Sequence, residues 1–369
     1  MRTVSSPKEN IAEKVVLVVQ DAQTRIKETI VESTYTGLSK SEIENRIRLI
    51  IEEAAEEIPE AWREQTRQAL AINAQKWHYL YTQQVQAINA QMIAAAADKL
   101  KQPSVRINDK TYSINLQSVI GLPVNEQMPI LTTFREHLTV DRAGLALIEN
   151  YDKQIRARVK SLAVDPAYFQ RIDKNGKVYR PNLRNFAEMQ ARYESNVKDV
   201  KNLEAEGVKL VWTSSHPDAS PRCAPYQGRL YSLDGSSGTI DGIKYTPLSE
   251  ALAGPRGDGN GIISGYNCRH RLIEYTPKSK PPKEYDRATI RKENAINNRQ
   301  RQYERDIRNL KIEERLMRRA GDEQTANQLK NEWLDKTKQY EIFSLRAQRA
   351  YYPWRTKVTN EEIERANQV

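Results

Sequence analysis

The sequence predicts a mostly α protein: long N-terminal helices, a small central α+β module with irregular loops, and a C-terminal helical hairpin. Three observations carry this expectation. Apolar residues recur at helical spacing through most of residues 8–100, with Gly and Pro scarce. From His216 to Tyr275 short β-forming runs alternate with Pro, Gly, Ser and Asp. Beyond "PKSKPPKEYD", a Lys/Pro-rich linker, two charged segments with helical apolar stripes flank Gly321. The divisions that follow are 1–135 (N-terminal helical region), 136–278 (central module) and 279–369 (basic helical hairpin).

In the first region, "SKSEIENRIRLIIEEAAEEI" carries a capping-box pattern from Ser41 to Glu44, where each side chain can bond the other's backbone N–H. Ile43, Ile47, Ile50, Ile51 and Ala54 then mark one buried face. The Ala- and Gln-rich run that follows, through Lys101, predicts one long helix whose apolar positions form a seam. "SVRINDKTYSI" predicts a small hairpin turning at Asn108–Lys110, and Gly121–Pro129 a loop.

The second region opens on a helix that Asp141 can cap, with Leu145, Ile148, Ile155, Val159 and Leu162 on one face. Asn175-Gly176 signals a turn. Asn182 can cap a further helix carrying Phe186, Met189 and Tyr193, which Gly207 can end. "VKLVWTS", "GRLYSL", "GIKYTPL" and "CRHRLIEY" are the strand candidates. In the third region Ile296, Tyr303, Ile307 and Leu310 stripe a basic helix. Ala326, Leu329, Trp333, Tyr340 and Phe343 stripe its partner, which Pro353 ends.

Composition narrows the function classes. The chain has 369 residues, a formal charge of +10 and a pI near 9.3, a balance that favours polyanionic partners. No apolar run approaches the roughly 20 residues of a membrane helix. "VVLVV" at Val15–Val19 is too short for the apolar region of a signal peptide, so synthesis in a cytoplasm and a soluble product are expected. Two cysteines exclude an array of zinc fingers.

The chemistry-bearing residues concentrate in "SSHPDASPRCAPYQGRLYS", residues 214–232, and "YNCRHRLIEY", residues 266–275. His216, Cys223, Cys268 and His270 offer the two sulfurs and two imidazoles that tetrahedral zinc takes, although their spacing matches no common finger pattern. His216, Asp218 and Cys223 supply the residue types of a cysteine nucleophile, its base and an orienting group. A metal-dependent or cysteine-based hydrolase, or a toxin-like enzyme, centred on His216, Cys223, Cys268 and His270 is therefore the alternative. The favoured reading is structural: Asp218 and Arg222 can pair, while the amides of Gln227 and Asn267 and the guanidinium of Arg269 satisfy the buried backbone groups of loops. The Gly-rich run 254–265 lacks the Lys-Ser/Thr of a phosphate-binding loop.

Four blocks in order, "LRNFAEMQARYESN", "SSHPDASPRCAPYQGRLYS", "YNCRHRLIEY" and "RQRQYERDIRNLK", resemble the phage minor capsid protein 2 family, distantly related to the Mu F-like minor head proteins of tailed phages. The resemblance spans roughly residues 140–358. The family's signature positions fall on His216, Asp218, Arg222, Cys223, Gln227, Gly228, Asn267, Cys268, Arg269 and His270. The chain departs from the family pattern at Cys223 and Tyr226, where members often carry His and Trp. The resemblance implies a non-enzymatic, low-copy structural protein of the virion, made in the bacterial host cytoplasm and associated with the portal vertex during head assembly. Its implied partners are the portal protein, a scaffold or major capsid protein and, non-specifically, double-stranded DNA, with no membrane. No cofactor is implied, zinc being the one the residue types admit. For DNA the candidates are Arg299, Arg301, Arg305, Arg308 and Lys311, which recur at helical spacing with Glu304 and Asp306 between them.

Overall fold

The computed structural model describes residues 7–36, 38–107, 109–163, 171–172, 178–179, 183–253, 263 and 268–359. It is mostly helical, as expected, and forms two compact units. One comprises residues 20–166, 306–338 and 354–369, the other residues 1–19, 167–305 and 339–353. Each unit therefore draws on several of the three sequence regions.

The first of these units is built along one long helix. Helix α1 is Pro7–Thr36, α2 Lys40–Glu56 and α3 Glu60–Leu100. At 1.5 Å per residue α3 extends about 60 Å, and it packs against α2, α4 (Leu116–Ile120), α5 (Val124–Leu138) and α6 (Arg142–Ala163). Its buried positions Leu70, Trp77, Tyr81, Val85, Ile88 and Ile93 form the expected seam. From Gln20 onward α1 is buried nearly all round and carries polar groups inside. Lys27 is fully buried, its ammonium over the Trp77 ring at 4.8 Å.

Three expectations in this unit are corrected. The capping box lies two residues upstream: Ser39 accepts from the Glu42 N–H and Glu42 accepts from the Ser39 N–H, which extends α2 to Lys40. Gly121–Pro129 is only partly loop, because α5 begins at Val124 and runs through Pro129. Burial of Ile130, Leu131, Phe134 and Leu138 offsets the cost of the missing N–H. Leu145 is exposed, and Tyr151 takes its place on the buried face of α6. The hairpin forms as predicted, β1 (Ser104–Ile107) pairing antiparallel with β2 (Lys110–Ser113), although Asn108 lies outside the described residues. Asp141 caps α6, its carboxylate accepting from the Gly144 N–H at 2.7 Å.

The other unit holds the sheet-forming part of the central region, from residue 167 onward, whereas residues 136–166 belong to the first. Strands β3 (Arg171–Ile172) and β4 (Val178–Tyr179) pair, while Asn175-Gly176 and Asn182 lie outside the described residues, as does the side chain of Phe186. Helix α7 (Leu183–Ala205) ends at Gly207, whose φ of +75° carries the chain round into β5 (Leu210–Thr213). The remaining strands are β6 (Leu230–Ser232), β7 (Gly238–Ile240), β8 (Ile243–Pro247) and β9 (Leu272–Glu274), with helix α8 (Leu248–Ala253) between the last two. They form one sheet of order β7-β8-β6-β5-β9, antiparallel except where β6 meets β8. Val211, Tyr231, Leu248, Ala251 and Ile263 make its core, covered by Val200 and Leu203 of α7.

Helices α9 (Arg287–Arg319) and α10 (Glu323–Arg346) pack as the predicted hairpin, turning at Gly321. Within the second unit Tyr340, fully buried, donates to Glu304, and Gln300 donates to Ser344. Helix α10 stops seven residues before Pro353, which instead begins a 3-10 turn.

Candidate functional site

The signature residues converge where β5, β6 and β9 meet. Thr213 ends β5 and accepts at its carbonyl from the Gly228 N–H, closing a loop over residues 214–227. Gly228 holds φ +67°, a conformation a side chain resists, so the Gln227-Gly228 pair is fixed by the backbone of that closure. Ser214 continues the sheet sideways: its N–H donates to the Arg271 carbonyl, and its hydroxyl accepts from the Arg271 N–H at 2.8 Å. This pairing brings the Cys268–His270 segment against His216.

Gln227 organises the cluster. Its side-chain carbonyl accepts from the His216 backbone N–H at 2.9 Å, which fixes the amide's orientation. The same oxygen lies 3.2 Å from Nε2 of His270, so that nitrogen carries the proton. Nδ1 of His270 is then an acceptor, and Cys268 donates its thiol proton to it across 3.5 Å. Nε2 of His216 is hydrogen-bonded to the same Ser214 hydroxyl at 2.9 Å. The two imidazoles meet edge to face, 5.1 Å between centroids.

Burial holds both rings neutral. His270 is 5% exposed, and burial, aided by neighbouring His216 and opposed by Asp218, lowers its pKa from 6.5 to about 4. Burial likewise lowers His216, against the pull of Asp218. A histidine that is neutral when folded and protonated when unfolded stabilises the fold fully above pH 6.5. That stabilisation declines as the pH falls from 6.5 towards 4, because the unfolded chain binds the proton first. The shift amounts to about 3 kcal/mol. Urea midpoints should therefore fall steeply over this window, and a His270→Gln variant should lose most of the slope.

The cluster is tied to two helices. Asn196 of α7, itself buried, donates to the Cys268 carbonyl at 3.3 Å. Asn294 of α9 donates to the Asp218 carbonyl at 3.2 Å. The segments carrying the four sequence blocks are thereby joined into one hydrogen-bonded structure.

The arrangement differs from that of an activated nucleophile. The cysteine beside a histidine is Cys268, which is 4% exposed. Burial raises the pKa of the Cys223 thiol, favouring the protonated, unreactive form. Among the described residues no three His, Cys, Asp or Glu side chains gather as a metal-ligand set. Of the nitrogens such a set would use, both of His270 and Nε2 of His216 are engaged within the protein. Arg222 and Arg269 are exposed, and Asn267 lies outside the described residues with most of 254–265.

The basic stripe proves to straddle its helix. Arg299 and Arg305 are exposed; Arg301 is half-buried and paired with buried Glu304 at 3.1 Å. Arg308 is buried and donates to the Arg355 carbonyl, and the Lys311 ammonium sits over the Trp333 ring at 4.8 Å. Sequence reasoning passed over Arg287, Arg291 and Lys292, all exposed on the same helix; tracing the solvent arc opposite the apolar stripe would have found Arg287 and Arg291, whereas Lys292 lies beside the stripe.

Fold and site together define a hydrogen-bonded joint between two loops, the sheet and two helices. Residues 190–343 match the family model described as phage minor capsid protein 2, a match that supports this family and, through it, a structural role in the phage capsid. No curated protein and no solved structure matches the chain. The matched family implies a virion location, and no described helix is long and apolar enough to cross a membrane.

Proposed function

We propose that this protein is a low-copy minor head component of a tailed phage, made in the host cytoplasm, which joins the portal vertex during head assembly and touches packaged DNA. The observation that carries the structural role is the Gln227 cluster. Its polar atoms are spent on one another and on the helices that carry the other family blocks. The capsid family supports the virion setting. The portal protein is the expected docking partner, with a scaffold or major capsid protein in contact during assembly.

Quantitative mass spectrometry of purified heads tests this reading. A copy number comparable to that of the portal, with crosslinks to the portal, is expected. Absence from the heads, or stoichiometry matching the main shell protein, would overturn it.

A further inference from the structure

Helix α9 presents one face whose chemistry is that of a phosphate-backbone ligand. Between Arg287 and Arg305 its exposed residues are Arg287, Ala288, Arg291, Lys292, Ala295, Asn298, Arg299 and Arg305, with half-buried Gln302 among them. At 100° per residue they fall within a single arc of about 140°, spread along about 27 Å of helix. That length matches about eight base pairs of duplex.

Five of these residues are cations, and none is a carboxylate. The acids of this stretch are turned elsewhere: Glu293 is half-buried and paired with Arg349 at 2.5 Å, and Glu304 is buried beneath Tyr340 and Arg301. Glu284 and Asp286 are exposed ahead of the helix, where Asp286 caps it by accepting from the Thr289 N–H. No ion pair among the described residues engages Arg287, Arg291, Lys292, Arg299 or Arg305; Arg299 lies over the Tyr303 ring and Arg305 donates to the Gln302 amide.

The face also lacks what a protein partner requires. Its largest exposed apolar residue is alanine, whereas protein interfaces bury aromatic and aliphatic anchors at their centre. Phosphodiesters need only cations, amide donors and water. Resting on the DNA contact proposed above, we infer that Arg287, Arg291, Lys292, Arg299 and Arg305 form a sequence-independent duplex-binding face, with Asn298 and Gln302 as amide donors. Buried Arg308, with Arg301 and Lys311, takes no part.

The test is fluorescence anisotropy with the full chain, an unrelated 20-base-pair duplex and a salt series. A variant with Arg291→Gln, Lys292→Gln, Arg299→Gln and Arg305→Gln is compared with a control, Arg318→Gln with Arg319→Gln, which removes exposed cations outside the face. The wild type and the control should bind at low salt. The fourfold variant should lose at least tenfold in affinity, with a logarithmic salt slope shallower by about 3. Circular dichroism verifies that α9 stays helical. If the wild type binds and the fourfold variant binds equally, this face is wrong while DNA contact stands. If the wild type fails to bind at low salt, DNA contact itself falls. Equal binding of poly-glutamate would overturn the nucleic-acid assignment in favour of an acidic protein surface.

Discussion

Gly144→Ala should cost about 3 kcal/mol or more and lower the melting temperature by several degrees. Gly144 sits buried in the first turn of α6, directly against the last turn of α5. A methyl group there would lie 2.0 Å from the Leu138 carbonyl oxygen and 2.8 Å from its carbon. Those are backbone atoms at a helix end, so no rotamer change relieves the clash. The turn through Thr139–Asp141 must open, and with it goes the Asp141 cap on the Gly144 N–H. The other side of the turn resists, because Leu138 and Phe134 are buried against α3. Gly121→Ala is the matched control: its new methyl would find nothing nearer than 3.8 Å, and φ there is −77°. It should shift stability by less than about 0.5 kcal/mol. Thermal melts of the two variants check the claim; equal shifts would show that the α5–α6 approach is looser than it looks.

That contact illustrates what the sequence could and could not convey. Helical periodicity conveyed α2, α3, α6, α9 and α10, since each keeps one apolar face over several turns. It could not convey that α5 and α6 meet at a glycine, because close approach is a tertiary property. Pro129 read as a breaker because local propensity weighs one residue at a time. The burial that overrides it comes from residues on both sides. Strand β7 was missed although its signal was present. Asp241-Gly242, with φ of +52° and +77°, is the two-residue turn of a hairpin, and "TIDGIKY" spells it. The parallel pairing of β6 with β8 has no local signature at all.

The candidate site divides similarly. Which residue types belong to it was legible from the density of His, Cys, Gln and Asn in two short stretches. Which atoms meet was not. Cys223 and His216 stand closest in sequence to a catalytic pair, yet the thiol–imidazole contact is between Cys268 and His270. On α9 the count of arginines was legible, whereas their direction depends on which side the apolar stripe faces. Arg308 follows the stripe inward.

Replacing Gln227 by Leu should destabilise the second unit by about 2–3 kcal/mol, and this variant separates the structural reading from the enzymatic one. The apolar side chain fills similar space but leaves the His216 N–H and the His270 Nε2–H without their acceptor. Each unsatisfied buried donor costs about 1–3 kcal/mol, and the half-buried position of Gln227 keeps the sum towards the lower end. Gln227→Glu keeps an acceptor oxygen for both donors and adds a negative charge beside His270. It should hold the fold and raise the His270 pKa towards its unfolded value, which narrows the acid-sensitive window from its lower end and shrinks the loss of stability across it. If Cys268, His270 and Gln227 worked as nucleophile, base and orienting group, Gln227→Leu would spare folding and abolish a reaction. As the joint between two loops, its loss instead loosens the sheet that Asn196 and Asn294 tie to α7 and α9. Hydrogen exchange across residues 210–275, compared among wild type, Gln227→Leu and Gln227→Glu, reads this directly. Faster exchange in the leucine variant alone is the expected pattern, and unchanged exchange there would remove Gln227 from its structural role.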